Sequence, residues 1–259
     1  AASIRFHYDV SNDFYALFLD PEMQYSCAWF ETPDATLAEA QQSKLDLVCR
    51  KLDLQPGDRF LDVGCGWGGL LCHAATRYGV TAHGVTLSEA QFRYTREKIE
   101  RQGLSDRVTV ALGDYTSVAG PYDKIASIEM AEHVGLANHG RYFRALHERL
   151  APSGLYLHQA SARTAKQDER RFARRHPEYA AITRHVFPGA ELDHIGMTLR
   201  NLQGHGFEVH DVLALREHMA RTFEAWLQRL QQNEAAALAA VGPVTLRTWL
   251  LYLAGCALA

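Results

Sequence analysis

The chain has 259 residues, 47% of them hydrophobic and 22% charged, with a formal net charge of −3 at pH 7. Those are the proportions of an ordinary soluble globular protein, one large domain or two small ones, and they argue against a fibrous or disordered chain. The charge selects no partner, and no nucleic-acid partner is expected. Five cysteines (Cys27, Cys49, Cys65, Cys72 and Cys256) lack C-x-x-C or zinc-type spacing, and no signal peptide is recognised at the start. Reduced thiols, no metal site and a cytoplasmic location are therefore expected.

Residues 1–58 read as helical, a cap standing apart from the rest of the chain, with TLAEAQQSKLDLVCRKLDL from Thr36 as a clear amphipathic helix. From Arg59 onward, short apolar runs alternate with longer amphipathic ones, the signature of βαβ units around a parallel sheet. Strands are predicted at 59–64 (RFLDVG), 81–86 (TAHGVT), 108–113 (VTVALG), 124–129 (KIASIE), 154–159 (GLYLHQ) and 206–212 (GFEVHDV). The helices LLCHAATRYG, EAQFRYTREKIERQG and HGRYFRALHERLAPSG lie between them, each ending at a glycine. The fold class is α/β: a doubly wound, Rossmann-like, mostly parallel sheet over residues 59–259, with C-terminal helices at 216–259. The apolar run WLLYLAGCALA is about half of the ~20 residues a membrane span needs, so it reads as a core helix.

Between the fifth and sixth strands, a basic insertion at about 163–185 breaks the pattern. It holds seven Lys/Arg (163, 166, 170, 171, 174, 175 and 184) against three acids (168, 169 and 178). A run of this kind is either a solvated helix face or a docking patch for an anionic partner.

The first strand runs into FLDVGCGWGG, in which Gly64, Gly66 and Gly69 fit G-x-G-x-x-G. A glycine loop after a strand lets backbone approach a ligand at the next helix N-terminus, which suits several cofactors. A nicotinamide site needs an acid after the second strand, and Thr86 stands there instead. Asp62, just before the glycines, is also out of place for that fingerprint.

LDVGCGWGG resembles the S-adenosylmethionine loop of class I methyltransferases, and with Trp67 it resembles the cyclopropane-fatty-acid synthase family, mycolic acid cyclopropane synthases included. The resemblance extends to HYDVSNDFYALFLDPEMQYSCAWF, TLAEAQQSKLDL, GVTLSEAQ, SIEMAEHVG, FPGAELDHIG and YLAGC, covering nearly the whole chain in order. It implies S-adenosylmethionine contacts at Asp62, Gly64 and Gly66, at Thr86, Leu87 and Gln91 by the ribose and adenine, and at Asp114 and Tyr115 over the adenine. Tyr25 and Ser26 would cover the methionine end, where an aromatic ring face favours a sulfonium.

The activity implied is methylation of the double bond of an unsaturated fatty acyl chain. Attack by a π bond leaves a carbocation, and a base must then take a proton from the added methyl before a ring can close. The site should therefore be apolar, aromatic-lined and furnished with one base. In the family that base is a bound bicarbonate ion, implied here at Glu132, His158 and the backbones of Ile128 and Cys27. His133 reads as structural, and Glu129 as an adjacent acid without an assigned role. Cys27 is not a nucleophile, since no base is paired with it and methyl transfer needs no covalent intermediate.

Two departures from the family stand out. Met219 replaces a tyrosine of the bicarbonate site and cannot donate its hydrogen bond, which weakens the expectation of a ring against a methyl branch. The family's final antiparallel strand is missing after YLAGC, so the sequence reads as truncated. The acyl chain would arrive on phospholipid or acyl carrier protein, with peripheral contact to the inner membrane face. The oligomeric state is open, a homodimer included. Competing readings are a methyltransferase acting on an amine nitrogen and a binding protein that has lost turnover.

Overall fold

The computed structural model describes residues 11–166, 172 and 182–258. Arg170, Arg171, Arg174 and Arg175 of the basic insertion, read as either a solvated face or a docking patch, lie outside these residues. Arg163, the first basic residue of that stretch, donates to the carbonyls of Leu192 and Phe172 and stacks 4.0 Å from the Phe172 ring.

The five strands expected between residues 59 and 159 all form: β1 (Arg59–Val63), β2 (Thr81–Thr86), β3 (Val108–Leu112), β4 (Tyr122–Ile128) and β5 (Leu150–Gln159). They pair in parallel in the order β3-β2-β1-β4-β5. The order reverses between β1 and β4, and such a switch point is where open α/β sheets bind ligands. Helices α3 (Gly69–Tyr78), α4 (Glu89–Arg101) and α6 (His139–His147) connect the strands, with the short α5 (Ala131–Val134) following β4.

Side-chain alternation along a strand explains the two faces. Phe60 enters a core with Leu70, Leu71 and Ile99 of α3 and α4, whereas Leu61 and Val63 face Tyr142, Phe143 and Leu146 of α6. Helix α2 (Leu37–Lys51) opens with a capping box between Thr36 and Glu39 and adds Leu45, Val48 and Cys49 to the first core. Gln41 and Lys44 lie on the same stripe and are buried with it.

The N-terminal region is less helical than expected. Only α1 (Asn12–Ala16) and α2 form among its described residues, joined by an irregular but largely buried segment. The cause is local: Asp20 accepts from the backbone N–H of Glu22 (2.9 Å) and of Gln24 (2.8 Å), and Pro21 follows it. Side-chain caps of this kind compete with helix formation. Nor does residue 58 mark a packing boundary. Phe14, Tyr15, Phe18 and Phe30 share one core with Phe223, Trp226 and Leu230 of α8 (Arg216–Gln232) and with Leu246, Trp249 and Leu253 of α9 (Glu234–Ala257).

The strand expected at 206–212 does not form. It makes no ladder with the edge strand β5 and is anchored instead by side-chain packing, with Phe207 5.1 Å from the ring of Tyr156 in β5 and from that of His147. No strand follows β5 among the described residues. The expected C-terminal core helix is half-buried: α9 bends at Gly242 (φ 75°) before Pro243, buries Trp249 and Leu253, and exposes Leu251.

Trp226 is 1% exposed and packs on Tyr25, Phe18 and Phe223, where the N- and C-terminal segments meet. Trp226→Ala should cost about 3–5 kcal/mol by the usual scale for a buried aromatic, read by chemical denaturation. A loss under about 1 kcal/mol would mean that the two segments hold together without it.

Candidate active site

A cavity of about 560 Å³ lies at the carboxyl ends of β1, β2, β3 and β4. Its first wall is the glycine loop. The N–H groups of Gly64 and Cys65 both donate to the Val85 carbonyl, pinning the loop to β2. Gly66 has φ 55°, a conformation that favours glycine, and a Cβ there would meet nothing within 4 Å. Trp67 leaves the loop in the other direction. It donates to Asn12 Oδ1 (2.8 Å) and packs 5.0 Å from the Tyr15 ring, stitching the loop to the N-terminal cover. Thr86 donates to Gln91 Oε1 at 2.8 Å, and Asp114 caps the turn that holds Tyr115.

The second wall comes from the irregular segment after α1. The turn set by Asp20 presents Gln24, Tyr25 and Ser26 to the cavity. Lys44, 1% exposed, lies behind it and donates to Gln24 Oε1 (2.6 Å) and Ser26 Oγ (2.9 Å). Burial lowers the Lys44 pKa, opposed by the negative charges of Asp20, Glu129 and Asp62. Asp62 is buried too, and desolvation pushes its pKa up to about 7 against the pull of Lys44. The Tyr25 ring sits among Tyr15 (5.5 Å), Trp226 (5.1 Å) and Phe187 (6.3 Å). Met219, Phe223, Tyr252 and Ile182 continue this apolar wall.

The third wall holds two carboxyls, Glu132 buried and Glu129 partly exposed. Glu129 follows β4 at φ 52° and accepts from the backbone N–H of Cys27 (2.8 Å) and from Gln159 Nε2 (3.2 Å), both at Oε1. Burial raises its pKa. Glu132 accepts from the Ser161 N–H at Oε1 (2.6 Å), while Oε2 has no hydrogen-bond partner among the described residues. Desolvation, reinforced by the charge of Glu129, pushes the Glu132 pKa up to about 8. At neutral pH Glu132 is therefore held largely in its protonated form.

Of the residues singled out in the sequence, Tyr25, Ser26, Asp62, Gly64, Gly66, Thr86, Leu87, Gln91, Asp114, Tyr115, Ile128 and Glu132 all line the cavity. Cys27 and His158 do not. His158 alternates onto the α6 side of β5, where it meets the Tyr156 hydroxyl at 3.0 Å and packs edge-on to Phe143. Burial brings its pKa down to about 4. The Cys27 side chain points to the carbonyls of Ala28 and Leu215, and burial pushes the thiol up to about 12, which removes a nucleophile role. His133, taken as structural, is on the cavity wall. Lys44, Gln24 and Arg141 were missed. Lys44 had a signal, a charge at an apolar-stripe position of α2; Gln24 and Arg141 had none.

These residues fit S-adenosylmethionine: a glycine-cornered loop, a buried acid at its root and an aromatic ring over the polar end. They do not fit the expected bicarbonate cage. The Cys27 N–H is taken by Glu129, His158 faces away, and Met219 has no proton to donate.

A family model described as mycolic acid cyclopropane synthetase matches residues 1–259. A probable fatty acid methyltransferase of Pseudomonas putida is 45% identical over 262 residues, covering 100% of this chain and 66% of the relative. Another, Rv3720 of Mycobacterium tuberculosis, is 40% identical, covering 98% of this chain and 58% of the relative. The chain thus spans less than two thirds of the length of both. The crystal structure of mycolic acid cyclopropane synthase CmaA1 complexed with SAH and CTAB superposes with a TM-score of 0.91 at 36% identity, covering 99% of this chain and 92% of that one. With a five-stranded Rossmann-like sheet ending in this cavity, the chain belongs to the mycolic acid cyclopropane synthetase family of S-adenosylmethionine-dependent methyltransferases.

Proposed function

We propose that this chain methylates a carbon of the double bond in an unsaturated fatty acyl chain, with a cyclopropane as product. One observation carries the reading: a single cavity joins the glycine loop to the Glu129 and Glu132 carboxyls across a wall of Tyr25, Phe187, Met219, Phe223, Trp226 and Tyr252. S-adenosylmethionine supplies an electrophilic methyl group when bound. The alkene π pair forms the new C–CH3 bond as the C–S bond breaks, leaving a cation on the neighbouring carbon. The aromatic wall excludes water from that cation and presents ring faces to it. Loss of a proton from the added methyl lets the C–H electron pair close the ring.

Glu132 is neutral at working pH, so its free Oε2 is suited to donating a hydrogen bond rather than taking that proton. No step is routed through bicarbonate, whose expected donors are engaged elsewhere. The relatives named as probable fatty acid methyltransferases support a fatty acyl substrate; its carrier, phospholipid or acyl carrier protein, is part of the proposal. An amine acceptor has no feature of this cavity in its favour.

Purified protein given S-adenosylmethionine and monounsaturated phospholipid vesicles should add one CH2 in mass to the acyl chain, with fragmentation showing a ring. A fragmentation pattern of a methyl branch would keep the acceptor and change the product. Methylation of amines alone would replace the proposal.

The Glu132 carboxyl also makes a stability prediction. Its folded pKa of about 8 lies above the ordinary 4.5, so the native state keeps a proton that the unfolded chain releases. The stabilisation is complete below the ordinary value and is lost as pH rises through the folded one. Glu132→Gln should therefore lose less stability than the parent between about pH 5 and about pH 9, read by denaturation midpoints. Parallel curves for the two proteins would place the ionisation elsewhere.

A further inference from the structure

Glu129 stands out from every other charged group among the described residues by three features at once. It is a non-glycine residue at φ 52°, a conformation that costs such a residue roughly 1 kcal/mol or more. It lies on the cavity wall, partly exposed, where desolvation by the surrounding protein raises its pKa. Its two hydrogen bonds, from the Cys27 N–H and from Gln159 Nε2, both go to Oε1. The chain therefore tolerates backbone strain and desolvation to fix one carboxylate oxygen, and Oε2 takes no hydrogen bond from the described residues. Strain and a desolvated charge held together in this way are features of functional positions.

The surroundings set the ionisation order. The charge of Glu129 raises the Glu132 pKa, so ionisation of Glu129 disfavours ionisation of Glu132. The buried Lys44 ammonium favours the ionised form of Glu129, as do both donors to Oε1. Glu132 has one N–H donor and no cationic neighbour among the causes that set its pKa. The two donors to Oε1 and the charge of Lys44 thus favour the carboxylate form of Glu129 against its burial, while Glu132, with one N–H donor, is held as the acid.

We propose that the Glu129 carboxylate is this chain's built-in proton acceptor, standing where a bound anion would otherwise be needed; the assignment rests on the methylation reading above. In the balanced step, the cation's added methyl gives its proton to Glu129 Oε2, the released C–H pair forms the third C–C bond of the ring, and Glu129 becomes neutral. The proton leaves to solvent with product release, so the sum is ring product, S-adenosylhomocysteine and H+. No co-reactant beyond the methyl donor and the acyl chain is required.

Two substitutions and one binding measurement test this. Glu129→Gln keeps shape and donors' partners but not basicity. It should reduce ring formation roughly a hundredfold or more while S-adenosylhomocysteine affinity stays within about twofold. Glu129→Gly relieves the positive φ and folds without strain. It should be equally impaired, and added formate or bicarbonate should restore turnover, whereas the parent should run at one rate in carbonate-free and carbonate-supplemented buffer. A Glu129→Gln protein that retains ring formation, or a parent that slows when carbonate is stripped, overturns the assignment.

If the parent methylates no acyl chain, the reaction reading fails, and titration with 13C-bicarbonate followed by NMR still decides the role of Glu129. A saturable site that appears in Glu129→Gly and not in the parent supports it. A saturable site in the parent refutes it.

Discussion

A single buried ammonium holds the working end of this molecule together. Lys44 projects from the apolar stripe of α2 into a region shared by Asp20, Asp62 and Glu129. Isolated buried charges are costly, and each of these groups is tolerable because the others are present. Its two hydrogen bonds, to Gln24 and Ser26, transmit that balance to the N-terminal turn, so the electrostatic requirement and the shape of the cavity's second wall are one constraint. The segment between α1 and α2 can be irregular because its polar groups are satisfied by Asp20, Gln41 and Lys44 rather than by helical bonds.

The cover over the cavity is built from both ends of the chain. Trp67 binds the glycine loop to Asn12 and Tyr15, and Trp226 and Trp249 bind the same aromatic cluster to α8 and α9. A ligand against the loop therefore touches a surface whose packing depends on residues nearly the length of the sequence away.

The sheet was legible because each parallel strand, buried on both faces, leaves a short apolar run between amphipathic helices. The same logic overreached at 206–212, where alternation was present but a ladder to β5 was not. The cofactor-side residues were legible through the family resemblance, whose motifs sit at successive strand ends. His158 could not be oriented by motif alone: one step of alternation along β5 decides whether a side chain meets the cavity or α6. Glu129 was visible as an acid at a strand end, but its importance lies in a backbone angle and in a bond from Cys27, 102 residues away in sequence. Neither has a local signature.

The left-handed backbone at Glu129 has an evolutionary corollary. Glycine is the residue that such a conformation prefers, and the codons GGA and GAA, for glycine and glutamate, differ at one base. A pocket of this geometry therefore lies a single point mutation from a version with an empty niche at the same spot, and backbone strain alone would not oppose the change in that direction. Lineages could pass between a self-contained site and one that recruits a small anion from the cell without altering any other part of the fold.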